Sequence, residues 1–269
     1  RLHELFLTNY IVQVLLGTAC ILIFLRAGYF SLSALRSVRV ETKQYLREFA
    51  SYSHPLVTYS AVTFIAGIFD RWLLQVYGGS IEQGFFGLSY QVSALCFLFS
   101  GAMAPLLTRE FAVAHGNGDI RKMSFLFDRY IPLFLSIAAF LSCFVSVQAD
   151  NVIAVMGGKQ FHGAVAVMAI MAFYPIHQTY GQLSGSMFFA TGQTTLYRDI
   201  GIFFLVAGIP MTYLLIGPAR MMGFELGATG LAVKTVIIQL LGVNTMLFFN
   251  TKFLDLPYGR YLMHQVVCI

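Results

Sequence analysis

Lys234, Asp70, Arg71, His177, Gln178, Tyr174 and Gln91 stand inside runs that are otherwise almost wholly apolar. An ionisable group in such a run is costly unless it pairs or reaches water, so each of these residues is a candidate for function. Lys234 is the deepest charge, about nine residues and so roughly 13 Å from the nearer end of its run. It suits an anionic substrate, and equally an ion pair with a carboxylate on another helix. Asp70 continues a polar stripe through Tyr59, Thr63 and Gly67 at helical spacing, as a cavity wall would. Neighbouring residues on a helix diverge by about 100°. Asp70 and Arg71 therefore do not face each other, and Arg71 either lines that cavity or snorkels to lipid head groups. Tyr174, His177, Gln178, Gly181, Gln182, Ser184 and Gly185 occupy adjacent rows of one helix that Pro175 is expected to kink. A wet wall explains this second stripe, and so does close packing through small residues. His177 is a candidate proton carrier or a neutral, hydrogen-bonded imidazole.

Composition restricts the elements that can position these side chains. Of 269 residues, 58% are hydrophobic and 11% charged, with a mean hydropathy of +0.73. Soluble domains carry about 25% charged residues, so the solvent for most of this chain is lipid. Glycine and proline without a fixed period exclude a fibrous chain, and 15% aromatic residues exclude disorder. Crossing a bilayer takes about 20 apolar residues in a helix. Runs of about that length lie at 8–25, 55–77, 85–107, 131–147, 163–190, 200–216 and 226–249. The expected fold is thus all-α, a polytopic transmembrane bundle, since a transmembrane barrel would need short alternating segments instead.

Lys and Arg orient the bundle. One set of alternate loops holds Arg26, Arg36, Arg39, Lys43 and Arg47, then Arg109, Arg121 and Lys122, then Arg198, then Lys252 and Arg260. The other holds Lys159 and Arg220, with Arg1 before the first span, so the first set is cytoplasmic. Residues 28–53 form a basic connector with an amphipathic helix expected at 40–52. It separates one span in 1–27 from a six-helix lobe in 54–250; 251–269 is a cytoplasmic segment leading into a further apolar stretch. The start at Arg1 and the stop within that stretch are what a piece of a longer protein would show. Arg109, Glu110, Asp128 and Arg129 stand at the cytoplasmic ends of two helices flanking one loop, where ion pairs and interfacial anchoring would set a gate. The four cysteines, Cys20, Cys96, Cys143 and Cys268, form no CxxC pair and read as small buried hydrophobes. No metal cluster, cofactor motif or nucleophile paired with a base is present in the sequence.

The stretch 48–112 resembles the MOP superfamily of transporters, in particular its polysaccharide-biosynthesis members, the O-antigen type of lipid-linked oligosaccharide flippase. The residues that carry the likeness are Pro55 opening a helix, the pair Asp70 and Arg71, Gly78 and Gly79 in an outer turn, Gly84 and Gly87 opening the next helix, and Pro105 near its inner end. The segment VIAVMGGKQFHGAVAVMAIMAF is similar to the family's lead into its tenth helix, and GFELGATGLAVKTVI to the start of its twelfth. The resemblance implies that the spans are the sixth to twelfth helices, one from a first lobe and six forming a second. It further implies a non-enzymatic, multi-pass protein of the plasma (inner) membrane. Such a protein moves a lipid-linked oligosaccharide to the outer leaflet by alternating access, with cationic side chains such as Lys234 and Arg71 compensating a lipid pyrophosphate. Its partners would be that substrate, membrane lipids and H+ or Na+ as coupling ion, with no nucleic acid. Two alternatives stand beside this reading: an ion-coupled multidrug exporter of the same superfamily, and a membrane-embedded polysaccharide polymerase or glycosyltransferase. The short, carboxylate-poor outer loops argue against the enzyme.

Overall fold

The computed structural model describes residues 2–26 and 39–268, so the part of the expected connector at 28–38 lies outside the described residues. The described chain is helical throughout, with no strand. Its α-helices are α1 (Leu2–Arg26), α2 (Arg39–Leu95), α3 (Leu98–Gly116), α4 (Ile120–Val147), α5 (Ala149–Met156), α6 (Val165–Met171), α7 (Tyr174–Ala190), α8 (Thr194–Ile216), α9 (Gly227–Phe253) and α10 (Tyr258–Cys268). A 3-10 helix, Lys159–Ala164, leads into α6. The chain divides into two units, Arg1–Ser51 and Tyr52–Ile269.

In the first unit, α1 exposes its apolar side chains, among them Leu15, Leu22 and Ile23, and Thr18 Oγ1 donates to the Val14 carbonyl at 2.7 Å. Cys20 is exposed here, against the expectation of a buried thiol, whereas Cys96 in the second unit is buried; all four cysteines are free.

In the second unit, α4, α8 and α9 are each long and apolar enough to cross a membrane; Lys43–Leu95 and Leu98–Gly116, bent by 52°, are together apolar enough as well. Phe64, Phe140 and Phe203 are at least 65% exposed on this unit. Apolar surface on that scale needs a lipid environment. The chain is a multi-pass membrane protein.

The turn expected at Gly78 and Gly79 breaks α2, and two expected spans are interrupted, each for an identifiable reason. α2 breaks at Gly79, whose φ of 77° and ψ of −175° lie in a region essentially restricted to glycine. The chain reverses there. Tyr59 packs on Tyr197 and Gly201, and Asp70 bonds to Thr212, so 55–78 runs parallel to α8. Phe85 packs on Phe161, and Ser100 bonds to Gln182, so the following stretch runs parallel to the chain through α6 and α7. The expected helix 85–107 is broken between α2 and α3, where the Cys96 and Phe97 amides donate to carbonyls only three residues back. The expected span 163–190 is likewise two helices. Pro175 has no N–H to offer the Met171 carbonyl, and Phe173 N donates to Ile170 O instead.

α7 is the axis of the unit, packed against α3, α4 and α9. Its small residues permit this: a side chain at Gly181 would meet Val243 Cγ2 at 3.0 Å. A core of Phe111, Phe127, Leu135, Ile176, Tyr180, Leu247 and Tyr261 fills the space on its far side. α10 folds back onto this core, held by the Arg260–Asp128 ion pair and by a reciprocal amide pair between Asn244 and Gln265. The segment after 250 therefore packs within the second unit.

Candidate functional site

A cleft of about 130 Å³ opens where Tyr59, α7, α8 and α9 meet. Its polar walls are Tyr59, Gln178, Gln182, Tyr197 and Gln239. Gly181, Gln182 and Tyr197 also border a second hollow of about 310 Å³ lined by Gly101 and Pro105, so the two adjoin along α7 and are taken together as the groove. Glycine makes the groove possible: a side chain at Gly201 would run into the Tyr59 ring. Gln239 Nε2 donates to Gln178 Oε1 at 2.7 Å, and Ser100 Oγ lies 2.9 Å from Gln182 Oε1. Both carbonyl oxygens are thus engaged, leaving the amide NH2 groups of Gln178 and Gln182 as donors. No described residue lining either hollow is charged. Amides beside aromatic rings can hydrogen-bond hydroxyls and stack on flat apolar faces, but they offer a bare cation nothing stronger than a dipole.

The charges are gathered further along the same helices. Lys234 is 6% exposed, and its Nζ lies 2.5 Å from Asp70 Oδ2. Thr212 Oγ1 donates to the other carboxylate oxygen at 2.7 Å. Gly208 gives the lysine its channel, since a side chain there would meet Lys234 Cε at 2.9 Å. The ion-pair alternative for Lys234 is the one present in the structure, and it ties three helices together. Arg71 is exposed, its guanidinium 6.0 Å from the centre of the Tyr90 ring, which in turn packs on Tyr174.

Of the residues singled out from sequence, Gln178 lines the groove, Asp70 and Lys234 form the pair, and Tyr174 belongs to the aromatic cluster under Arg71. His177 is buried and does not line the groove, and Gln91 is exposed away from it. The gate residues do not pair with one another. Glu110 pairs with Lys122 at 3.1 Å, Asp128 with Arg260 and Tyr261, and Arg129 lies over Phe125, while Arg109 is exposed. Burial raises the Tyr261 phenol above its usual pKa, so it stays protonated and donates to Asp128 at 2.9 Å. Gln239 and Tyr197 were not singled out from sequence. Gln239 carried the needed signal, a polar side chain five residues after Lys234 in the same apolar helix.

These features define a polytopic helical membrane protein whose second unit holds a neutral groove beside a buried ion pair. No family profile matches the chain, and no curated protein matches it. Solved structures do. A MOP superfamily transporter from Pyrococcus furiosus, described as having a binding pocket of reversed polarity, matches with a TM-score of 0.68 at 15% identity. An outward-facing multidrug resistance MATE family transporter of the same superfamily matches at 0.69 and 15%, and a proline-to-alanine mutant of a MATE protein at 0.67 and 16%. Each match covers 79% of this chain and 47% of the other, so the chain spans about half the length of these structures. The fold of this chain is that of about half of a MOP superfamily transporter.

Proposed function

We propose that the chain is the second-lobe portion of a membrane transporter that flips lipid-linked oligosaccharide from the cytoplasmic to the outer leaflet by alternating access. The observation that carries this reading is the uncharged groove of Tyr59, Gln178, Gln182, Tyr197 and Gln239. Sugar hydroxyls find amide donors and acceptors there, and pyranose faces find aromatic rings. Among the described residues the groove has no carboxylate to hold a cationic drug. Arg71, exposed at the outer part of its helix, is the cation offered to a lipid pyrophosphate. Lys234 is committed to Asp70 and joins that task only if the pair opens.

Drug export is the second reading. It is favoured by the similarity to a multidrug resistance transporter and by the apolar part of the groove, Phe204, Leu205 and Met246. The two readings separate in proteoliposomes containing the complete protein. Under the flippase reading, labelled lipid-linked oligosaccharide becomes accessible to an enzyme added outside, and a cationic dye loaded inside is retained. Dye loss without oligosaccharide movement would overturn it in favour of export.

A further inference from the structure

We infer that the Lys234 ammonium is a built-in counter-cation occupying the cation position of Asp70, so that this lobe takes up no Na+ there. The geometry of the pair carries this whatever the substrate. Hard cations such as calcium sit about 2.3–2.6 Å from carboxylate oxygens. Lys234 Nζ already fills that space as the hydrogen-bonded partner of Asp70 Oδ2, and Thr212 takes Oδ1 at 2.7 Å, so neither carboxylate oxygen is left for an ion.

A dissolved ion would have to displace an ammonium that is itself buried. Its side chain is 8% exposed and lies against the bare backbone of Gly208. It is also tethered to α9, so its pairing with Asp70 is intramolecular and draws no ion from solution. Exchange would strand a buried lysine without a partner, the costly outcome for a broken buried pair. Asp70 is thereby spent on holding 55–78 to α8 and α9, and a coupling cation, if the transporter uses one, binds elsewhere.

The test is Na+-dependent thermal stability of the complete protein in detergent at pH 8, in 100 mM NaCl against 100 mM choline chloride. The wild type is expected to melt at the same temperature in both. Lys234→Met removes the tethered cation and leaves the carboxylate. It is expected to melt roughly 3–6 °C higher in NaCl, as for an ion at about ten times its Kd, and the gain should vanish in Asp70→Asn/Lys234→Met. Lys234→Gln, which keeps a hydrogen-bond donor for Asp70, serves if the methionine variant does not fold. A folded variant that is indifferent to Na+ would overturn the inference. So would a wild type stabilised by Na+ in a way that Asp70→Asn abolishes.

Discussion

The cluster of Asp70, Thr212 and Lys234 and the network of Gln178, Gln239, Gln182 and Ser100 draw on overlapping helices, yet solve opposite problems. Lys234 and Gln239 are five residues apart on α9, about 7.5 Å along its axis. At the first position the chain buries full charges and satisfies both carboxylate oxygens from within. At the second it leaves neutral amides and phenols facing an open groove. An intramembrane charge here thus ties helices together, while under the proposed function the neutral polar groups are the ones that meet substrate. On that proposal, charge alone is a poor guide to where substrate binds.

The contrast is most exposed to failure at the ion pair. In choline buffer, Lys234→Met should lower unfolding stability by about 3–5 kcal/mol, as for other buried pairs that lose one partner. Replacing both members, as Asp70→Leu/Lys234→Met, should restore most of that loss; denaturant titration of the two variants and the wild type reads the effect. A next-smaller loss is expected where the groove depends on a missing side chain. Gly201→Val drives a side chain into the Tyr59 ring and should cost about 1–3 kcal/mol by the same titration.

Gln178→Leu probes the neutral side of the contrast. It removes one amide hydrogen bond, so stability should fall by only about 1 kcal/mol. Transport should fall by about fivefold, the kinetic equivalent of a lost contact of that size. Initial flipping rates in proteoliposomes measure it, and a variant that loses stability without losing rate would make Gln178 a packing residue. The smallest effect belongs to the surface. Arg260 and Asp128 are about half exposed, so Arg260→Ala should change stability by less than about 1 kcal/mol.

Much of the helical organisation is legible in the sequence because lipid imposes a simple rule, that spans are long and apolar. Runs 131–147, 200–216 and 226–249 map onto α4, α8 and α9 for that reason. The interruptions were less legible. Pro175 announces the α6–α7 break, but nothing as plain marks Cys96 and Phe97, where the turn comes from short-range hydrogen bonds without proline or glycine at the turn itself. The site was half legible for a related reason. Depth and charge pick out Lys234 and Asp70, but their pairing depends on how α8 and α9 meet the helix of Asp70, which no periodicity encodes. Gln239 and Tyr197 become groove residues only through the glycines that let their helices approach, Gly181 and Gly201.

The neutral groove as the path of the sugar is tested at source by the sidedness of lipid-linked oligosaccharide in cells lacking the protein, restored with either the intact protein or its Gln178→Leu/Gln239→Leu variant. Accumulation on the cytoplasmic face is expected, relieved by the intact protein and not by the folded, membrane-inserted variant. Normal outer-face display in the deleted cells, or full relief by the variant, would contradict a sugar path through the groove.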